Sequence, residues 1–387
     1  MADPTSTDLL SQVLQFSIER QPEMLETLQR LVETESPSDN KAAVDKLGAH
    51  LAQKFENLGG RTTLHRIEDF GDHVQAEFPG RVGQKPVMLL GHFDTVWPLG
   101  TLAKMPFRIA DGRAYGPGVL DMKSGIAMML HALRALHELE VRDHRPITVL
   151  LDTDEEVGSG SSRATIESIA KGCEAVLVLE PAQGFQGFLK TSRKGIGAYR
   201  VRVHGQASHA GVDFEKGHNA VVELSRQILE VAKFTDLSRG ITVNPGVIRG
   251  GTRSNVVAAE AWVEVDIRIV RPADAGELEQ RFSALRSFDQ HCRLEITGGL
   301  DRPPMERTPG TVRLLGIAQD LAKSLGMTLG ESATGGGSDG NFTSALGIPT
   351  LDGLGAVGEG AHAAHESIIL EQLPLRTALL AGLIATI

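Results

Sequence analysis

Three short apolar runs constrain this chain more than any other feature: Val87-Met-Leu-Leu90, Ile147-Thr-Val-Leu-Leu151 and Ala175-Val-Leu-Val-Leu179. Each is bounded by turn or charged residues and lacks the polar alternation of a strand with one wet face, so each predicts a strand buried on both sides. Between the first two, Ile126, Met129, Leu130, Leu133 and Leu136 fall on one helical stripe. Strands alternating with helices predict an α/β fold with a mixed, largely parallel sheet, in which ligand sites lie beyond the carboxyl ends of the strands.

The residues that follow the runs are therefore the ones to inspect. Gly91-His92-Phe93-Asp94-Thr95 follows the first, Asp152-Thr153-Asp154-Glu155-Glu156 the second and Glu180 the third, while Asp121 stands at the start of the striped helix. Histidine and carboxylates converging on one sheet edge without a thiolate suit a borderline divalent ion such as Zn²⁺, with Co²⁺ or Mn²⁺ as substitutes. The set exceeds what one tetrahedral ion needs, and two ions bridged by a carboxylate would use the surplus. A further ligand is expected from Gly360-Ala-His362-Ala-Ala-His365-Glu366, where spacing leaves His362 and His365 as alternatives.

The periodicity also divides the chain. Val44, Leu47, Leu51, Phe55 and Leu58 predict an early helix, with Ser38 or Asp39 as its cap and Gly59-Gly60 as its stop. From Gly195 the order becomes strand 198–204, helix 217–234, strand 241–248, strand 261–270, helix 273–288 and strand 292–297. This β-α-β-β-α-β order is ferredoxin-like. In it Ala261, Val263, Val265, Ile267 and Ile269 alternate strictly with Trp262, Glu264, Asp266 and Arg268, as in an antiparallel sheet covered on one side. After Arg302-Pro-Pro304 a helix–strand–helix pattern returns and continues to the end. The expectation is a discontinuous catalytic domain, 1–194 and 304–387, interrupted by an inserted α+β satellite, 195–303.

Aromatic residues make up 4% and the formal charge is −10, which argues against nucleic acid as a partner. The apolar stretch around Leu379–Ile387 is about half of the roughly 20 residues a membrane span needs, so no membrane is expected. The N-terminal segment has no basic then apolar pattern; as given the chain reads as cytoplasmic, or periplasmic if a signal has been removed. Cys173 and Cys292 match no metal or redox spacing and read as small buried hydrophobes.

Taken together, the motifs resemble those of the aminoacylase/glutamate carboxypeptidase family of di-zinc metallopeptidases. The matching segments are Gly91-His92-x-Asp94-Thr95-Val96, Tyr115-Gly-Pro-Gly118 with Asp121-Met122-Lys123-Ser124-Gly125, Thr153-Asp154-Glu155-Glu156-x-Gly158-Ser159, Gly205-Gln-Ala-Ser-His209-Ala-Gly211, Gly336-Gly337-Ser338-Asp339-Gly340 and Gly360-Ala-His362. The resemblance is strongest to its glutamate carboxypeptidases. It implies a zinc-exopeptidase catalytic domain with a lid or dimerisation insert. It also implies Asp121 as the bridge between two zinc ions, His92 and Glu180 completing one, and Glu156 and His362 the other. Asp94 would orient His92, Glu155 would be the general base for a metal-activated water, and the Asp121–Met122 peptide would be cis. His209 would stabilise the oxyanion, often across a homodimer interface.

Substrate contacts are expected from Asn255, Arg253 and Arg268, which suit a free carboxylate, from backbone at Gly337 and the hydroxyl of Ser338, and from Lys190, which with Arg193 and Lys194 would meet an acidic side chain. The implied reaction is hydrolysis of the amide to a C-terminal amino acid, glutamate favoured, in N-acyl-glutamate or folate-like substrates. A deacylase of acetyl or succinyl type and a dipeptidase are the alternatives within the family. From another class, Gly336-x-Ser338-x-Gly340 followed by Asp352 and His362 has serine-hydrolase order.

Overall fold

The computed structural model describes residues 4–387, which form two compact units. The larger contains the chain up to Ser192 together with Arg307–Ala333 and Ser338–Ile387; the smaller contains Arg193–Glu306 and Thr334–Gly337.

The larger unit is built on a six-stranded sheet. Its strand order is Arg61–His65, His73–Phe78, Ile147–Asp152, Val87–His92, Ala175–Val178 and Thr350–Leu351. The last four run parallel, and His73–Phe78 is antiparallel to both its neighbours. Every residue of Val87–His92 and Ile147–Asp152 is buried, as apolar runs without alternation require. Helix Ser124–Glu138 follows the expected stripe but is also buried at Met128, Ala132 and Ala135, because helices Pro4–Glu19, Gln21–Glu33 and Gln372–Thr386 pack around it. Each fully buried Leu or Met there contributes about 1.5–3 kcal/mol. The apolar stretch near the C-terminus is part of Gln372–Thr386, a core helix, and no helix among the described residues is long and apolar enough to cross a membrane.

A small antiparallel sheet, in the order Gly358–Glu359, Ser367–Ile369, Arg113–Tyr115 and Arg108–Ala110, brings the C-terminal part of the chain beside the segment before Asp121. The helix Lys41–Asn57 is capped by Asn40, whose side chain accepts from Ala43 N–H, and not by Ser38 or Asp39. The hydroxyl of Ser38 is committed elsewhere, to Asp94.

In the smaller unit four antiparallel strands lie in the order Thr242–Gly250, Glu260–Ile269, Gly195–His204 and Arg293–Arg302, with helices Ala220–Ala232 and Ala273–Ser283. Ala261, Val263, Val265, Ile267 and Ile269 are buried, and Tyr199 stacks on Phe282 with ring centroids 3.8 Å apart. The last strand runs past the expected 297 because it pairs with almost the full length of Gly195–His204. Thr334–Gly337, expected with the catalytic domain, belong to the smaller unit. Arg193 donates to the carbonyls of Gly336 and Gly337, and Lys194 N–H to that of Thr334. Cys173 and Cys292 are buried free thiols, and burial pushes them up to about 12 and about 11.

Candidate active site

The parallel strands of the larger unit end side by side, and their register sets the first ligands. His92, the last residue of its strand, is paired with Asp152 at the end of the next, and Glu180 lies just beyond Ala175–Val178. Asp121 sits in the turn before helix Ser124–Glu138, where Gly118 adopts φ 70° and a Cβ would come within 2.6 Å of the Thr95 side chain. The Asp121–Met122 peptide is cis. The backbone N–H of His92 donates to Met122 Sδ at 3.3 Å. His362 is carried by the connection between Gly358–Glu359 and Ser367–Ile369. Its φ of 63° is a left-handed conformation that costs a non-glycine residue roughly 1–2 kcal/mol.

Two groups result, His92/Asp121/Glu180 and Asp121/Glu156/His362, each with its ligand atoms within 4.8 Å of one another. Asp121 belongs to both and uses a different oxygen for each. Oδ1 is 3.3 Å from His92 Nε2, and Oδ2 is 3.5 Å from His362 Nε2. His92 Nε2 is also 3.5 Å from Glu180 Oε1, and His362 Nε2 is 3.1 Å from Glu156 Oε2. His365 joins neither group, so of the two histidines that spacing left open it is His362 that meets the carboxylates.

Asp94 lies behind these residues, fully buried, with Oδ1 3.3 Å from His92 Nδ1. Its other oxygen accepts from Ser38 Oγ at 2.6 Å and from Glu156 N–H at 3.3 Å, so one carboxylate touches a residue of each group. Glu155 is half-buried at the start of the Glu155–Val157 turn, adjacent to Glu156.

The electrostatics show a site that attracts cations. Burial opposes charge on His92, yet hydrogen bonds to Asp121, Asp94 and Glu180 outweigh it and hold the imidazole well above its ordinary value. Hydrogen bonds to Asp121 and Glu156 push His362 up to about 10. Burial pushes Asp121 up, but the two histidines overcome it and hold the carboxyl low. Burial raises Glu156. Its Oε1 is buried without a hydrogen-bond partner. Carboxylates sharing two imidazoles, with one oxygen unsatisfied, form a donor set that fits divalent metal.

The other residues expected in the site are placed variously. His209, Arg253 and Asn255 are exposed in the smaller unit, where a bridge between His209 and Val256 and the bond from Ala210 N–H to the Asn255 carbonyl bring their loops together. The Arg268 guanidinium already holds a carboxylate, donating to Asp266 at 2.8 and 3.0 Å. Lys190 is buried on the strand Leu189–Arg193, bridged to Asp352. Its expected companions are spent on backbone: Arg193 on Gly336 and Gly337, and the Lys194 ammonium on the Gly240 carbonyl at 2.7 Å. Gly337 packs so closely that a Cβ would lie 2.6 Å from Ile196.

Ser338 corrects two expectations. It is fully buried, its hydroxyl donates to Asp352 at 2.6 Å and accepts from Gly340 N–H, and His362 faces Asp121 and Glu156. It is thus neither a substrate contact nor a serine nucleophile with a histidine base. Asp152 and Asp154, at the head of the acidic run, are fully buried as well. Asp154 accepts from the Ser161 N–H and hydroxyl; burial and then Asp339 raise Asp152 well above its usual value.

Glu366 has no role in the reading from sequence. It is buried, and its carboxylate accepts from Trp97 Nε1 and from the backbone N–H groups of Gly118, Leu120 and Asp121. Its one signal is its position four residues after His362.

Comparison with known proteins agrees with this geometry. Carboxypeptidase G2 of Pseudomonas sp. (strain RS-16) is 34% identical over 380 residues, covering 96% of this chain and 91% of the relative. Acetylornithine deacetylase of Salmonella arizonae is 28% identical over 64% of this chain and 68% of its own length. In fold, the chain matches an M20 family metallo-carboxypeptidase of Sulfolobus solfataricus with a TM-score of 0.74 at 18% identity, covering 94% of this chain and 98% of the other. Residues 88–386 match peptidase family M20/M25/M40, and the chain belongs to that family as a metallo-peptidase.

Proposed function

We propose that the protein is a di-zinc carboxypeptidase that hydrolyses the amide bond to a C-terminal amino acid, with glutamate favoured, in N-acyl-glutamate or folate-like substrates. The observation that carries this reading is the division of Asp121 between two ligand groups, one oxygen to each. His92 and Glu180 would complete one ion, Glu156 and His362 the other. When bound, such a pair supplies Lewis acidity to the scissile carbonyl and brings the pKa of a water into the neutral range, as Zn²⁺ does and Co²⁺ or Mn²⁺ would.

The chain's own residues do the rest. Glu155, adjacent to the ligand Glu156, is proposed to accept the proton of the attacking water and deliver it to the leaving amine. Asp94 is proposed to fix the imidazole plane of His92, whose Nδ1 lies 3.2 Å from the Asp94 carbonyl oxygen and 3.3 Å from its Oδ1. His209 is the donor proposed for the developing oxyanion. Arg268, with Arg253 and Asn255, is proposed to receive the substrate carboxylate, which would take the place of the Asp266 carboxylate that its guanidinium holds. Lys190 is proposed as the cation for an acidic side chain.

The likeness to carboxypeptidase G2 over nearly the whole chain supports the carboxypeptidase reading. The likeness to an acetylornithine deacetylase supports a second one, removal of an acyl group from an amino acid by the same residues. A panel of N-acyl amino acids and dipeptides, varied at the C-terminal residue and assayed on the zinc-loaded protein, separates them. Glutamate is expected to exceed alanine by at least about tenfold in kcat/KM, about 1.4 kcal/mol. A smaller ratio, or selection by the acyl group alone, overturns the glutamate carboxypeptidase reading. A chelator should abolish activity and added Zn²⁺ restore it; activity that survives complete metal removal contradicts the metal-dependent mechanism.

A further inference from the structure

Glu366 stands outside both ligand groups, yet it touches the segments that carry three of the ligands. We propose that it is a positioning residue whose carboxylate locks the Asp121 turn to the loop after His92 and to the connection bearing His362, presenting Asp121 to both ions at once. This inference rests on the di-metal reading above.

The geometry of its acceptors is specific. Oε1 accepts from the N–H groups of Leu120 at 2.8 Å and Asp121 at 3.0 Å, and Oε2 accepts from Gly118 N–H and Trp97 Nε1, both at 2.9 Å. Burial raises the Glu366 carboxyl, but four donors on two oxygens fill its acceptor sites and suit an ionised, acceptor-only carboxylate. Glutamine has the same shape, but whichever way its amide turns, its NH₂ would face two N–H groups. A buried carboxylate placed beside Asp121 is electrostatically unfavourable. A link that only joined two segments would be made at lower cost by a neutral group.

The covalent path makes Glu366 an alignment device. Asp121 has its N–H held by Oε1 while its side chain leaves from the same residue toward both histidines. On the other side, Glu366 N–H donates to Ala363 and Ala363 N–H to Gly360, which fixes the short connection to His362. Ser367, the next residue, is paired with Tyr115, only six positions before Asp121. Trp97 extends the contact to the segment that follows His92 and Asp94. Displacing Glu366 would therefore shift Asp121 and His362 with respect to each other without removing either.

The test uses the full chain, stripped by chelator and titrated with Zn²⁺ alone by calorimetry, alongside thermal unfolding in chelator and steady-state kinetics. E366Q is expected to bind Zn²⁺ about 10–100-fold more weakly than the parent. Its kcat should fall at sub-saturating zinc, KM should stay within about threefold, and excess Zn²⁺ should recover much of the rate. W97F removes one donor without burying a new one and should weaken zinc by about threefold; it carries the test if E366Q does not fold. N40A, which removes a helix cap in the larger unit, controls for general destabilisation and should leave zinc affinity unchanged. Zinc affinity of E366Q, or of W97F in its place, equal to the parent's overturns the proposal, as does an equal loss in N40A at a matched fall in Tm. A parent chain that takes up no zinc overturns instead the di-metal reading on which the proposal rests.

Discussion

Glu155 and Glu156 are chemically identical neighbours in different surroundings, on which their proposed tasks as base and ligand rest. Glu156 is held against His362 at 3.1 Å, and Glu155 belongs to neither ligand group. E155Q should therefore lower turnover by about 10²–10⁴-fold, the range for loss of a general base, with zinc content per chain unchanged by elemental analysis. A near-parental rate would remove Glu155 from that role. Residues at strand ends were legible in the sequence because the end of a buried strand is a fixed place: His92, Glu180 and Glu156 all lie just beyond such runs. Glu366 was not, since what defines it is a set of backbone N–H groups that exist as a cluster only after folding. Arg268 was half legible. Asp266 lies two positions before it on the same polar strand face, so the pair could have been expected from alternation alone.

At the scale of elements, three consecutive polar residues precede the helix Lys41–Asn57, and only Asn40 reaches Ala43 N–H. Composition could not rank Ser38, Asp39 and Asn40, because the cap is decided by where the helical backbone starts. N40A should cost about 1 kcal/mol in chemical denaturation. A second link joins helix Gln21–Glu33 to helix Ser124–Glu138. Glu23 receives hydrogen bonds from Arg20 at 2.7 Å and from Arg134 at 2.5 Å, and these hold its carboxyl down at about 2. A carboxyl held below its unfolded value of 4.5 contributes stability that is present above that pH and lost as pH falls toward about 2. Urea midpoints measured in chelator across this range should fall less steeply for E23Q than for the parent; parallel curves would show that the link carries no pH-dependent stability. The succession of strands and helices in the smaller unit was readable from periodicity, whereas the attachment of Thr334–Gly337 to it was not. That attachment depends on Arg193 finding carbonyls 143 and 144 positions away.

For the whole molecule, the sheet of the smaller unit ends in the strand Thr242–Gly250, where Val247 and Ile248 are 44% and 57% exposed. An apolar edge of this kind invites pairing with another chain, and it is where the homodimer that the family resemblance implies would be sought. Sedimentation should then show a dimer that I248K converts to monomer; a monomeric parent at micromolar concentration contradicts that expectation. The formal charge of −10 also takes on a different meaning, since part of it is a cluster that divalent cations would neutralise. The most direct test of the central claim is the zinc stoichiometry of the chelator-stripped protein by calorimetry. A carboxylate divided between two ligand groups predicts two equivalents of Zn²⁺ per chain. Saturation at a single equivalent would contradict it.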